Sequence, residues 1–475
     1  MSFSIVTNVA SLNARNNLLR SNTGLQRSVE RLSSGLKINR GADGPAALVI
    51  SEKQRAQISG LRQAIDNSEK AVSLVQTAEG ALAEINSMLV KVRGLAVDSA
   101  NAGLNDSDAL AANQAEISNA LDTINRIASN TQFGSKKLLD GSAGVSGTAT
   151  DADVTVLAGT ADTLAGTYAI VVSSAGERGT RDAATAQTAA LAQDEILTVN
   201  GVSITLSTGL TQGQVIDRVN EFTGQTGVIA DANGAGSATR FYSESYGTAA
   251  SVSVISNVAD AANSSGVGTT ALTDSGSNIQ ITVDGGAAIT GSGNAVTVNS
   301  GAAKGLSLQF ATAAGAANAT ATVTGAQGNV TTQNNALVFQ IGANQNQTAD
   351  IAIDRVNPVS LGVGVTGSQF SNLNEIDISS ASKSQDALAV IDAAINDIAT
   401  QRGALGAFQQ NTLAATTNNL RATLENTVAA ESIIRDTDFA QEISNFTSSN
   451  VLVQAGTSVL GNANQLTQGI LSLLQ

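Results

Sequence analysis

From Asn13 onward the chain alternates apolar and polar residues at helical spacing. Leu18, Leu25 and Leu32 recur every seven residues, Val29 and Leu36 fill the alternate position, and Asn22 lies in the same heptad seam. Ser33-Ser34-Gly35 interrupts this pattern, and Arg40-Gly-Ala-Asp-Gly-Pro45 interrupts it more strongly. Asp43 is the expected N-cap of the next helix, with Pro45 in its first turn. That helix is predicted over about residues 45–100. Leu61, Ile65, Ser68, Val72 and Val75 step by four and three, and Leu82, Ile85, Leu89, Val92 and Ala96 continue the stepping. At ~1.5 Å per residue it spans roughly 80 Å, far more than a globular helix needs. A third helix is expected from Ser107 to Asn130, with Leu110, Ile117, Leu121 and Ile124 inward.

Past Lys137 the period changes from helical to two. Tyr168–Val172, Ile196–Val199, Val202–Leu206, Ile279–Val283 and Leu306–Phe310 read as strands, and Asn200-Gly201 carries the signature of a type I′ hairpin. A short helix is expected at about 211–223. Leu337–Ile341 and Ile351–Ile353 predict a further hairpin. Helical spacing then returns. Ser382 and Gln385 fit a capping box, and Leu388, Ile391, Ile395, Ile398, Arg402, Leu405, Leu413, Leu420 and Leu424 predict one continuing seam. Arg435-Asp-Thr-Asp438 breaks it. A last helix follows, its stripe made by Phe439, Ile443, Phe446, Val453, Leu460, Ile470 and Leu473. From Ile443 to Gln475 there is no charged side chain, yet polar residues break every apolar run well short of ~18 residues, so the stretch does not read as a membrane span. A greasy stripe with uncharged flanks is suited to burial against other protein.

The expected architecture is α+β: a long α-helical coiled-coil or bundle rod made from paired N- and C-terminal arms, with one or two β-rich outer domains inserted between them. Arg15, Arg20, Arg27, Arg31, Lys37 and Arg40 crowd the first arm, while Glu431, Asp436, Asp438 and Glu442 precede the last helix, so the two ends are expected to pair along their length. A lone helix pair leaves one side of each helix bare. Packing against further copies, in a closed dimer or an open helical array, would cover it, and the uncharged flanks favour the array.

Composition narrows the chemistry. The 475 residues carry a net charge of −14, which argues against a nucleic-acid partner. Neither Cys nor His occurs, so disulfides, thiol or imidazole catalysis and the usual zinc ligands are excluded, and no calcium-loop pattern is present. Few aromatics make a poor lining for a ligand pocket. No catalytic residue, metal site or cofactor is expected, and the N-terminus lacks the pattern of a cleaved secretory signal.

Several stretches resemble bacterial flagellin. They are Glu30-Arg-Leu-Ser-Ser-Gly-Leu-Lys-Ile-Asn39, Gln76-Thr-Ala-Glu-Gly-Ala-Leu82, Gln132-Phe133, Ala455-Gly-Thr-Ser-Val-Leu460, Gln465-Leu466 and the closing Ile470-Leu-Ser-Leu-Leu474. The resemblance covers roughly 1–142 and 334–475, in order and at both ends, and 194–257 is similar to the small β-rich insert of many flagellins. It implies a structural subunit of the bacterial flagellar filament, a self-assembling helical polymer for motility. Residues 1–45 and 432–475 would form its inner-core coiled coil, 46–142 and 334–431 a surrounding helical rod with a β-hairpin, and 143–333 the outward-facing domains. It further implies an extracellular place in the filament, type III export without a cleaved signal, a chaperone that holds the C-terminal helix, and junction and cap proteins as partners, with no membrane insertion. The Toll-like flagellin receptor would contact Lys91, Leu95 and Glu116, although Gly94 stands where the family pattern has Glu and Val90 where it often has Gln. Two other readings share the terminal helices: a hook–filament junction protein, disfavoured by the continuous match over 46–100, and a surface-display or adhesin variant using the middle domain.

Overall fold

The computed structural model describes residues 8–101, 103–314 and 320–473, with side chains as far as Gln465. Its helices are α1 (Val9–Ser34), α2 (Pro45–Ser99), α3 (Ser107–Asn130), α4 (Gln212–Asn220), α5 (Thr223–Thr226), α6 (Ala381–Ala407), α7 (Ala415–Arg435) and α8 (Phe439–Leu473). The chain forms two compact units. One holds the residues up to Glu69, Gln340–Thr348 and those from Ala414 on; the other holds Lys70–Phe339 and Ala349–Leu413.

In the first unit α1 starts at Asn8, whose side chain accepts from Ser11 N at 2.9 Å. It stops at Gly35, which takes φ 74° and donates its N–H to Arg31 O. A residue with a Cβ resists that left-handed backbone, so the helix ends there, before the Arg40–Pro45 break. Asp43 does not cap α2. Its carboxylate turns back to Arg40 N (2.9 Å) and Asn39 N (3.3 Å) and closes a 3-10 turn, Gly41–Asp43. Pro45 opens α2 with no N–H to satisfy, which lowers the need for a cap. The early part of α2 packs antiparallel on α7 around Leu61, Ala64, Ile65 and Leu420, with Arg435–Glu52 (3.0 Å) and Arg421–Glu69 (2.7 Å) along the flank.

The second unit begins with a helical bundle. Ala71, Val75, Ala78, Leu82, Ile85, Leu89, Val92 and Ala96 of α2 are buried at alternating three- and four-residue steps, so Ala71 rather than Val72 continues the inward line. α3 contributes Ile117, Leu121, Ile124 and Ala128, and α6 contributes Val390, Ile391, Ala394, Ile398 and Leu405. Ion pairs between α2 and α6 (Arg93–Asp392, 2.6 Å) and between α2 and α3 (Lys91–Glu116, 2.6 Å) follow antiparallel registers. The cap of α6 is Ser380, not Ser382: its backbone is extended and its hydroxyl accepts from Lys383 N, which places Ser382 inside the first turn. The seam beyond Leu405 is not one continuous α-helix either. Residues Phe408–Ala414 form a π-helical turn. Leu405 and Leu413 are both fully buried but eight residues apart, about 80° on a regular α-helix, and the wider turn brings them closer to one line.

Two antiparallel β cores follow. The first pairs Leu272–Ser275, Ser251–Ser256, Glu195–Val199 and Val202–Leu206 in that order. A second, three-stranded sheet and α4 close over Leu197, Ile204, Val215, Val219 and Phe241. Asn200 (φ 46°) and Gly201 (φ 84°) make the hairpin turn with the backbone their sequence implied. The expected 211–223 helix is divided into α4 and α5 by Glu221 and Phe222. The second core joins a five-stranded and a three-stranded sheet over Ile170, Ile281, Leu308, Phe310 and Val330. Its strands come from 145–174 and 280–334, so the first core is inserted within it. The later hairpin pairs Leu337–Gln340 with Thr348–Ile351, earlier than the expected 351–353, because the return strand begins just past the Asn344–Gln347 turn.

Candidate functional site: the paired terminal helices

Within the first unit α8 runs antiparallel beside α1. At one end Asn8 Nδ2 donates to Ala463 O (2.9 Å) and Ser11 Oγ donates to Asn464 Oδ1 (2.8 Å). At the other end Lys37 N donates to Arg435 O (2.7 Å) and Thr437 N to Gly35 O (2.9 Å), a short clip between the turns that bound the two helices. Between these ends the interface is made by Leu18, Leu25, Ser28 and Leu32 on α1 and by Glu442, Phe446, Val453, Leu460 and Ala463 on α8, all buried or half-buried. Leu36 is half-buried in the clip, bridged to Asp436.

Glycines set the approach of the helices. A Cβ at Gly456 would stand 3.2 Å from Leu18 Cδ1, and one at Gly24 would stand 3.5 Å from Ser449 Oγ. A helix-interior glycine costs about 1 kcal/mol against alanine, so its use at two facing levels reflects contact rather than propensity. The heptad reading missed these positions; a glycine interrupting each apolar stripe was the available signal.

Several seam expectations come out differently. Val29, Phe439 and Ile443 stay 48%, 53% and 53% exposed, Phe439 touching α1 only through its ring edge near Gly35. The shift follows from registry, since buried Ser28 and Glu442 occupy the inward lines beside them. Ile470 and Leu473 have side chains outside the described residues. Pairing of opposite charges is confined to one end, at Arg31–Glu442 (3.6 Å). Arg15, Arg20 and Arg27 are exposed and make no ion pair among the described residues.

A second apolar surface results. Leu12, Leu19 and Val29 on α1, with Phe439, Ile443, Val451, Leu452 and Val459 on α8, each stand about half exposed. Exposed large apolar side chains in this number on two paired helices suit a further protein contact. In the second unit, Lys91 and Glu116 are paired on the outside of the bundle and Leu95 lies half-buried one turn on. Gly94 meets no neighbouring atom there, and Val90 is 55% exposed.

Comparison with known proteins fixes the family. Residues 5–144 match the bacterial flagellin N-terminal helical region and 388–474 match the C-terminal helical region. Flagellin of Clostridium tyrobutyricum is 33% identical over 461 residues, covering 97% of this chain and 99% of its own. The chain belongs to the bacterial flagellins. B-type flagellin of Pseudomonas aeruginosa is 31% identical over the full length of both chains. Among solved structures, FliC from Burkholderia pseudomallei matches at 19% identity over 72% of this chain and 98% of its own, with a TM-score of 0.24, too low to add to the sequence relatives. Family membership makes the chain a structural protein of the flagellar filament. Among the described residues no helix is long and apolar enough to cross a membrane.

Proposed function

We propose that this flagellin polymerises through its terminal helices. α1 and α8 pair within each subunit, and their second apolar faces are covered by the α1–α8 pairs of neighbouring copies. The observation that carries this is the set of half-exposed apolar side chains around α8, Ile443, Val451, Leu452 and Val459, on a helix with no charge after Glu442. Taking each such side chain from half exposure to burial contributes about 1 kcal/mol, and the absence of charge removes the desolvation cost that would oppose close packing. Residues 1–45 and 432–475 then form the innermost layer, 46–142 and 334–431 the layer around it, and 143–333, with the 194–257 insert, the filament surface. The chain boundaries suit this division: the 3-10 turn Gly41–Asp43 precedes α2, and Asp436–Asp438 separates α7 from α8.

Export unfolded through the flagellar apparatus, with a chaperone on α8 beforehand, fits a helix too apolar to remain bare. Folding then accompanies addition at the filament end beside the cap and junction proteins, where intersubunit burial offsets the ordering entropy. The test is negative-stain microscopy of monomer with filament seeds, comparing the full chain, a chain ending at Thr437, and Leu460→Asp. Long filaments are expected from the first alone, with the β cores of all three folded by circular dichroism. Normal filaments from Leu460→Asp would overturn the placement of α8.

Lys91, Leu95 and Glu116 are the proposed contacts for the Toll-like flagellin receptor. Gly94 and a lysine in place of a bidentate arginine weaken that contact. Absence of any reporter-cell response to micromolar monomer removes this reading.

A further inference from the structure

The segment from Ala175 to Gly179 carries the chain from the second β core into the first, and Arg178 lies on it. Its place is fixed from every side. Gly176 N donates to Thr322 Oγ1 (2.9 Å), Arg178 N to Thr320 O (2.7 Å) and Gly179 N to Ser243 Oγ (3.0 Å), while Glu177 O accepts from Gly247 N (3.0 Å) and Ser277 N (3.1 Å). Its guanidinium carbon stands 4.6 Å from the centroid of the Tyr246 ring and 5.5 Å from that of Tyr242. Tyr246 is itself anchored, its hydroxyl bonded to Thr312 Oγ1 at 2.5 Å. Stacking of this kind orients a guanidinium and leaves its edge free for in-plane acceptors.

No acceptor is there. Among the described residues the Arg178 side chain makes no ion pair and no hydrogen bond, and its Nε is buried without a partner. None of the carboxylates on the adjoining segments bonds Arg178, although Asp182 Oδ1 is itself buried without a partner. Asp182 accepts from Ala235 N (2.9 Å), Asp274 from Thr180 N (2.9 Å), Glu244 from Lys383 Nζ (3.2 Å), and Glu177 from Ser277 Oγ (3.4 Å). The contrast with Arg240 is direct. It stacks on the same Tyr242 ring at 5.3 Å, but Asp231 holds it through a two-point ion pair (Nε–Oδ1 3.1 Å, Nη2–Oδ2 2.5 Å). The Tyr242 hydroxyl likewise makes no hydrogen bond among the described residues, on a ring whose centroid is 5.5 Å from the Arg178 guanidinium carbon. A buried guanidinium nitrogen left without an acceptor is costly, and the strands around it supply none.

We propose that Arg178, clamped by Tyr242 and Tyr246 at the junction of the two β cores, is a binding site for a small oxyanion, a carboxylate or a phosphate or sulfate group, with the Tyr242 hydroxyl as auxiliary donor. A forked guanidinium matches two oxygens of such a group at once.

The test is isothermal titration of the full-length monomer with sodium phosphate, sodium sulfate and sodium acetate at constant ionic strength in chloride. Saturable binding is expected. Arg178→Lys keeps the charge but loses the planar fork, and should weaken binding about tenfold. Tyr242→Phe keeps the ring stack and should also weaken binding, with the melting temperature unchanged. Arg181→Gln is the control and should bind as wild type, since that side chain is already spent on Thr273 O (2.6 Å). Tighter binding of acetate assigns the site to a carboxylate-bearing ligand, such as an acidic sugar or an acidic side chain; tighter binding of phosphate or sulfate assigns it to their esters. Heats no different from chloride for all three anions would overturn the proposal, as would undiminished binding by Arg178→Lys. Should that variant fail to fold, wild-type affinity in Tyr242→Phe overturns it instead.

Discussion

Asp354 shows how a single side chain can couple this protein to pH. It lies in the second unit beside Gln401, whose amide, oriented to satisfy both groups, donates to Oδ2 at 3.2 Å and accepts from Asp354 N at 2.9 Å. Its Oδ1 is buried without a partner. Burial, and then the like charges of Asp397 and Asp162, push its carboxyl from 3.8 up to about 6. A raised acid binds its proton more tightly in the folded state. Its stabilising effect is therefore full below about pH 3.8 and is lost as pH rises to about 6. At neutral pH the charged form is a burden, so Asp354→Asn should stabilise the second unit by about 1–2 kcal/mol, after discounting for solvent screening. Urea melts at pH 7.5 and pH 4 check this. The gain should vanish at the lower pH, and an equal gain at both would mean the side chain acts through packing rather than charge.

At the scale of elements, the π turn at Phe408–Ala414 makes a sharp test of the eight-residue gap between Leu405 and Leu413. One residue rotates an α-helix by about 100°. Deleting Gln410 restores seven-residue spacing, so both leucines can stay buried on a regular helix, and stability should change by about 1 kcal/mol or less. Deleting exposed Ala399 in α6 should instead turn Leu405 out of the bundle and cost about 3 kcal/mol or more. Equal losses from the two deletions, read from the second unit's denaturant midpoint, would mean the π turn does not absorb the extra residue. The same segment shows what was legible beforehand. Helix existence followed from spacing, and α3 was bounded correctly by Ser107 and Asn130 because Asp106 caps it and Thr131 leaves it in extended backbone. The π turn leaves little trace in the leucine spacing, because a step of eight continues a helical stripe almost as well as a step of seven. Caps were misread at Asp43 and Ser382 because local polar residues compete for the same role, and backbone geometry decides among them. The α1–α8 pairing was legible from its two stripes, but not which residues face inward: a one-residue shift separates buried Ser28 from exposed Val29, and hydrophobicity alone points to the wrong one. The Arg178 clamp gave no signal, since it joins residues more than sixty positions apart, and nothing local marks Tyr242 or Tyr246 as partners of an arginine.

For the molecule as a whole, the two units hold very unequal cores. The second has a helical bundle and two β cores, each with more than a dozen buried apolar side chains. In the first, α1 buries only Ser28 completely, and the apolar cluster between α2 and α7 consists of Leu61, Ala64, Ile65 and Leu420. Conformational entropy is charged per ordered residue, about 1–2 kcal/mol for the backbone alone, so helices with little buried surface stay closed only weakly. The monomer should therefore open locally at α1 and α8 long before the β cores unfold. Hydrogen exchange on the monomer is expected to show amides of α1 and α8 exchanging within seconds to minutes while those of Glu195–Val199 and Gly166–Ser174 persist for hours. In the filament the α1 and α8 amides should become as slow as those of the strands, because neighbouring copies cover the faces that Leu452 and Val459 leave open. Protection of α8 that is already complete in the monomer would mean the terminal helices are finished structures before assembly, and that polymerisation draws its free energy from surfaces on the second unit instead.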